Sequence, residues 1–332
     1  MNEPPNLPIE ALSMPAFKDR SAGLTVFGIL TIVMGCLAGL MVLFMMLGLV
    51  VGANISNVPP TPVSSALMFA SAYGGLAVAL VWLGIGSIKA RRWARALLLI
   101  FSWTWLVTGI IMVPIMGFVM PKTFANLPVT PGQPALPPGA ITIMTIFMLL
   151  FMSFFFVVLP AIWVFFYGSR HVKATVERRD PVQRWTDACP LPVLGLSLWL
   201  GLGVPFMLFM PILGHGVVPF FGTFLRGFPG SLIYLVVAAV WACCAWRLYK
   251  LDVRAWWVVL VAMLLYCVST LMTYTRHDVF EMYQLMGYPQ DQIDQMKKLG
   301  TFGGNSVAWM LIFFVPFLGY IVYVKKYLPG KA

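Results

Sequence analysis

Apolar residues run along this chain in long unbroken stretches separated by short polar punctuation. Eight stretches reach or exceed the roughly 20 residues that an α-helix needs to cross hydrocarbon: 23–51, 65–87, 96–119, 141–168, 191–214, 229–246, 255–274 and 305–324. None alternates with the period of two that a transmembrane strand requires. An unpaired backbone amide in lipid costs several kcal/mol, so the stretches are read as helices, each satisfying its own main chain. The charged or titratable residues nearest to them, His215, Arg247, Arg276 and Lys325, fall at their boundaries, where long polar side chains reach the interface. The fold class expected is an all-α integral membrane protein with eight transmembrane helices.

The punctuation predicts how neighbouring helices meet. KARRWAR between the second and third stretches and RLYKLDVR between the sixth and seventh are too short for anything but antiparallel hairpins. Small residues spaced for close helix contact occur as Gly35 and Gly39, Ala70 with Gly74, Ser71 with Gly75, and Ser197 with Gly201. Prolines 114, 160, 205, 211 and 316 lie inside apolar stretches. Pro160 and Pro316 are the candidate helix kinks, because proline frees the carbonyl four residues back.

Composition agrees: 60% of the 332 residues are hydrophobic and 10% charged, with a mean hydropathy of +0.88. Charge then gives orientation. One side collects Lys18, Arg20, Lys89, Arg91, Arg92, Arg95, Arg170, Lys173, Arg178, Arg179, Arg184, Arg247, Lys250, Arg254, Lys325, Lys326 and Lys331, which is 17 of the 22 basic residues. Lys122, Arg226, Arg276, Lys297 and Lys298 fall opposite. The positive-inside rule puts the first side, with both termini, in the cytoplasm. The net charge of +11 thus reads as a basic belt facing anionic headgroups and not as a nucleic-acid surface. Residues 1–22, with Glu3, Glu10 and several prolines, read as a cytoplasmic tail and not a cleavable signal. Of the five cysteines, Cys36, Cys243, Cys244 and Cys267 fall inside apolar stretches and Cys189 at the start of the fifth, so no disulfide framework is expected.

The two halves of the chain show matching positions. Leu24, Val26 and Gly28 correspond to Leu191, Val193 and Gly195; Trp82, Arg91 and Arg95 to Trp241, Lys250 and Arg254; Pro160 and Tyr167 to Pro316 and Tyr323. Four helices per half return the chain to the side it left, so a duplication would give two parallel repeats about an axis along the membrane normal. The corresponding division is a tail at 1–22, a first four-helix repeat at 23–168, a linker at 169–190, a second repeat at 191–326 and a C-terminus at 327–332.

Three segments lie outside the apolar stretches and are long enough to carry a site. PKTFANLPVTPGQPALPPGA, rich in proline, is expected to be extended or irregular. In HDVFEMYQLMGYPQDQIDQMKKLG, Met282, Leu285 and Met286 recur at helical spacing, and Pro289 can open a second helix carrying Ile293, Met296 and Leu299. Two short amphipathic helices are expected there, lying on the outer face as a cap or a lid. The third segment is the linker. Trp185 suits the headgroup depth, Arg184 and Asp187 are expected to pair or to cap the fifth helix, and Pro190 and Pro192 to start it. Arg184, Trp185, Thr186 and Asp187 form the candidate interaction motif. His171, Asp180, Asp187 and Cys189 are potential metal ligands whose spacing matches no zinc or iron signature, so no metal is assigned.

Asp180, Pro181, Arg184, Trp185, Thr186, Asp187, Cys189, Pro190, Leu191, Pro192, Val193 and Leu194 make a DPxxRWTDxCPLPVL string that resembles the linker of a family of multi-pass bacterial membrane proteins. The segment Tyr167–Lys173 upstream is similar too. The resemblance is close over residues 167–194 and looser over the helices. It implies bacterial origin, hence a cytoplasmic (inner) membrane, and an eight-helix build, and it brings no activity with it.

No Ser/His, paired-carboxylate or His-rich constellation occurs at membrane depth, so catalysis is not expected and no cofactor is assigned. Ion-coupled transport ordinarily needs intramembrane ionisable groups, and none is found in the apolar stretches. The expectation is a non-catalytic polytopic inner-membrane protein, a scaffold or assembly partner. The alternative is a carrier or binding chamber for a lipid or other apolar molecule. The partners implied are the anionic cytoplasmic headgroups and another membrane protein, with no nucleic acid.

Overall fold

A computed structural model describes residues 18–52, 63–125, 137–299 and 306–329. It contains eight helices long and apolar enough to cross a membrane. In chain order, α1 is Ser21–Gly52, α2 Val63–Ile88 and α3 Arg92–Ala125. The fourth span is built from α4 (Pro138–Ser153), a π-helical turn (Phe154–Val158) and α5 (Leu159–Gly168). A short helix α6 (Arg170–Arg179) leads into the second half. There α7 (Leu191–Leu213), α8 (Phe228–Tyr249), α9 (Val253–Tyr274) and α12 (Ser306–Val324) are the long helices. The two short helices expected before the last span are present as α10 (Val279–Leu285) and α11 (Gln290–Leu299). Most of the proline-rich segment before α4 lies outside the described residues. Its first part, Pro121–Ala125, is not irregular but continues α3, whose main-chain ladder extends past the proline.

α1 and α2 pair where side chains are absent. A Cβ on Gly28 would meet the Gly84 carbonyl at 2.8 Å, and one on Gly35 the Ala77 carbonyl at 2.9 Å. Backbones so close gain dispersion and Cα–H contacts without any hydrophobic drive. α7 and α8 meet similarly, with Ser197 Oγ donating to the Ala245 carbonyl at 2.6 Å and Gly203 under the Trp241 ring. The expected contacts of Gly74 and Gly75 are not made. A Cβ on either would meet no described atom within 4 Å outside the backbone of α2 itself.

The two short hairpin turns share one geometry. After α2, Ala90 N donates to Ser87 O (2.8 Å) and Arg91 N to Gly86 O (2.9 Å), with Ala90 at φ 50. After α8, Leu251 N donates to Leu248 O (2.8 Å) and Asp252 N to Arg247 O (3.0 Å), with Leu251 at φ 61. Each is a Schellman turn with a left-handed residue just past the helix. In both it follows a lysine, so the geometry matches Lys89 to Lys250, two residues away from the gap-free match of Arg91 to Lys250.

Both hydrophobic cores lie at the linker end of the helices. One gathers Leu24, Leu98, Trp163, Tyr167, Val172 and Val176; the other Leu196, Leu248, Trp256, Val259, Ile321 and Val324. Buried hydrogen bonds lock each. Ser87 Oγ donates to Leu24 O (3.0 Å), so its contact with Tyr167 at 2.7 Å must be a bond donated by the tyrosine, tying α1, α2 and α5. In the second half Trp256 Nε1 donates to Ile321 O (2.8 Å) and Tyr320 OH to Pro192 O (2.7 Å). Tyr323 does not occupy a place like that of Tyr167: it is 46% exposed where Tyr167 is wholly buried. Away from the linker the helices open, leaving Phe44 and Leu47 of α1, Phe118 of α3 and Phe147 of α4 exposed.

Pro160 acts within the fourth span as a change of winding. Lacking an N–H, it frees the Phe156 carbonyl, and the helix widens into the π turn, where Leu159 N bonds to Phe154 O. The Phe156 carbonyl oxygen then sits against α3 at Gly109, where a Cβ would overlap it. Pro316 is carried inside α12, whose helix continues through it.

The face opposite the linker carries a β-hairpin that the hydrophobic pattern does not signal. β1 (Val218–Phe220) and β2 (Thr223–Leu225) form an antiparallel hairpin in the register Val218 to Leu225, Pro219 to Phe224 and Phe220 to Thr223. Its two-residue turn, Phe221 at φ 41 and Gly222 at φ 97, is of type I′. The far end of α9 receives it: Ser269 Oγ accepts from Phe221 N (2.9 Å) and Thr273 Oγ1 from Gly222 N (3.1 Å). His277 bridges Gly222 O (3.2 Å) and Glu281 Oε2 (2.8 Å), joining hairpin to α10.

Candidate functional site

The linker begins where Ser169 turns the chain out of α5. With extended backbone angles it caps α6, its Oγ accepting from His171 N at 3.3 Å. The apolar face of α6 buries Val172 and Val176, and its buried Thr175 accepts from Arg20 N at 3.1 Å. His171 Nδ1 accepts from Lys18 N at 3.4 Å. α6 therefore seats the start of α1.

α6 ends at Asp180, and Pro181 cannot continue the helix. The Asp180 side chain is 2% exposed. Arg184 Nη2 donates to its Oδ1 at 2.9 Å, Arg92 N donates to Oδ2 at 3.3 Å, and Arg91 Nη1 lies 3.7 Å from Oδ1. A carboxylate thus sits at the positive N-terminal end of α3 with two guanidiniums beside it. The hydrogen bond from Arg184 holds the Asp180 carboxyl below the usual carboxylate range, against the opposing effect of burial.

The RWTD string closes on itself. Arg184 N donates to Asp187 Oδ2 (2.9 Å) and Asp187 N to Arg184 O (2.9 Å), giving one 3-10 turn over Trp185–Asp187. The expected pairing of Arg184 with Asp187 is thus made through the main chain of Arg184, its N–H to the Asp187 carboxylate, and not through its guanidinium. The Arg184 guanidinium turns to Asp180, and Asp187 forms an ion pair with Arg92, its Oδ2 lying 3.1 Å from Nε. Nor does either residue cap α7: Pro190 precedes Leu191 with no side-chain cap, and Pro192 lies in the first turn, where a missing N–H costs nothing. Arg92 also approaches Glu177 at 3.7 Å, so one arginine of α3 reaches both α6 and the RWTD turn.

The remaining motif residues attach the turn to the second half. Tyr249 of α8 donates its hydroxyl to Trp185 O at 2.9 Å, while the Trp185 ring is 46% exposed. Thr186 is 2% exposed, and its Oγ1 finds no hydrogen-bond partner among the described residues. The potential metal ligands do not converge: His171 faces the start of α1, while Asp180 and Asp187 are taken by arginines. Among the described residues no three of His, Cys, Asp and Glu form a cluster that could hold a metal ion. Burial pushes the Cys189 thiol up to about 11, which keeps it protonated and a poor nucleophile at neutral pH.

The arrangement is an ionic joint. Its arginines come from the turn before α3, from the first residue of α3 and from the linker, its carboxylates from α6 and the linker, and it ties α3 and α6 to the turn that precedes α7. The sequence marked the right string but missed the partners on α3, whose only signal was the RR pair at 91–92. No protein-family model, curated protein or solved structure matches the chain.

Proposed function

We propose that the chain is a non-catalytic polytopic protein of a bacterial inner membrane, with both termini and the linker in the cytoplasm, whose role is to assemble with another membrane protein. The observation that carries this reading is on α2. Gly74 and Gly75 present a small-residue surface suited to close helix approach, yet no described residue of the chain packs on it. The same helix, a few turns on, uses Gly84 for that purpose against α1. The orientation is supported by the crowding of basic residues on the linker side, and the joint there uses its carboxylates to hold helices together. Duplication into two parallel four-helix repeats is supported by the paired Schellman turns.

A cysteine introduced at Gly75 and treated with a short bifunctional thiol reagent in intact membranes should yield one discrete crosslinked species. Recovery of the uncrosslinked chain alone would contradict the reading. A second reading, a binding chamber for an apolar molecule, is favoured by a groove of about 350 Å³ lined by Phe124, Met144, Phe147, Met148 and Phe151. A stoichiometric apolar ligand retained on purification, and lost on Phe147→Asp, would support it instead.

A further inference from the structure

On the face opposite the linker, an open cleft of about 680 Å³ lies between the last turn of α7, the first turn of α8 and the loop after α10. Pro211, His215, Arg226, Ser231, Leu285 and Gly287 line it. The volume falls within the range of small-molecule sites.

The walls are held by close backbone packing. His215 and Gly216 are successive left-handed residues, at φ 50 and 66, and Gly227 at φ 65 donates its N–H to the His215 carbonyl at 2.9 Å. A Cβ on Gly230 would overlap the Gly216 carbonyl, so the loop from α7 is pressed against the start of α8. Gly287, at φ 81, brings the other wall beside the His215 ring.

Charge gives the cleft its specificity. Arg226 and His215 both line it, and among the described residues no carboxylate does. Of the acids on this face, Glu281 pairs with His277, Asp278 caps the start of α10 and Asp294 accepts from Gln290, while Asp291 of α11 is not among the residues that line the cleft. The cleft also opens beside the N-terminal end of the 22-residue α8, where the helix dipole is positive. Around it Ile212 and Phe228 are exposed apolar side chains at the ends of spans. A cationic pocket with apolar neighbours at the edge of the membrane-crossing segments suits a phosphate group attached to an acyl-bearing molecule.

We propose that this cleft binds a phosphate-bearing anion, with the Arg226 guanidinium as its charged contact and the His215 ring as a hydrogen-bonding contact. This goes beyond the assembly reading and requires no partner on α2. The full chain in a neutral detergent is titrated with inorganic phosphate, with dihexanoyl phosphatidylglycerol and with dihexanoylglycerol, which lacks the phosphate, and the unfolding midpoint is followed. Saturable stabilisation by phosphatidylglycerol, weakened at least tenfold by Arg226→Gln and by His215→Asn, is the expected result. Asparagine tolerates the left-handed backbone at 215. Lys122→Gln, outside the cleft, should leave binding unchanged. If inorganic phosphate stabilises with the same dependence on Arg226, the source is a soluble phosphate; if only the lipid does, it is a headgroup. Equal binding by Arg226→Gln and the natural chain, binding of dihexanoylglycerol as tight as that of phosphatidylglycerol, or no binding of either anion, would overturn the proposal.

Discussion

The carbonyl oxygen of Phe156 occupies the space that a side chain at Gly109 would fill. The two residues explain each other: Pro160 deprives that carbonyl of its helical donor, and a glycine on α3 lets the widened turn approach closely. Gly109→Ala should therefore force α3 away from the fourth span and cost about 1–3 kcal/mol, the usual penalty of overpacking. Thermal unfolding in detergent measures it. Pro160→Ala, which restores the N–H, should relieve part of that cost in the double variant, and strict additivity would contradict the coupling.

Tyr167, Ser87 and the Leu24 carbonyl form one buried chain of donors. Tyr167→Phe removes only the first donor and should cost about 1 kcal/mol. Ser87→Ala leaves both the tyrosine hydroxyl and the carbonyl without this partner and should cost more, about 1–3 kcal/mol. The order of the two losses tests the direction of the bonds assigned here.

The ionic joint should respond to acid. Because the folded Asp180 carboxyl lies below its ordinary value, its contribution is complete above the unfolded pKa of about 3.9 and is lost as pH falls through the lower folded value. Asp180→Asn should lower stability by about 2 kcal/mol at neutral pH, the scale of a hydrogen bond to a charged group. The difference between the variant and the natural chain should vanish below that window. A difference that persists unchanged at the acid end would count against the joint.

Eight spans were legible because each is an apolar run longer than the bilayer demands, and α10 and α11 because Pro289 separates two short amphipathic patterns. The charged helix α6 was hidden, since RHVKATVERR reads as a linker until Val172, Thr175 and Val176 are seen to share a buried face. The β-hairpin escaped because strands of three residues, amid aliphatic and aromatic residues, leave no alternation to detect. Phe221-Gly222 between short β-prone runs was its one local signal. In the linker, proximity in sequence suggested that Arg184 pairs with Asp187. The buried Asp180 and the distant Arg92 decide otherwise, and such contacts arise only from tertiary packing.

Orientation has a direct check. A cysteine in place of the exposed Gln295 on α11 should react with a membrane-impermeant maleimide on intact cells. One in place of the exposed Val182 in the linker should react only after permeabilisation. Reaction at Val182 on intact cells would reverse the orientation.

The central claim is that Gly74 and Gly75 of α2, against which no other described helix packs, belong to an assembly interface, and native mass spectrometry of the chain released in lipid nanodiscs tests it most directly. The expected result is a discrete, stoichiometric complex with another membrane protein, which Gly75→Leu dissociates while leaving the unfolding midpoint of the isolated chain unchanged. A lone chain, or a complex indifferent to Gly75→Leu, would contradict it.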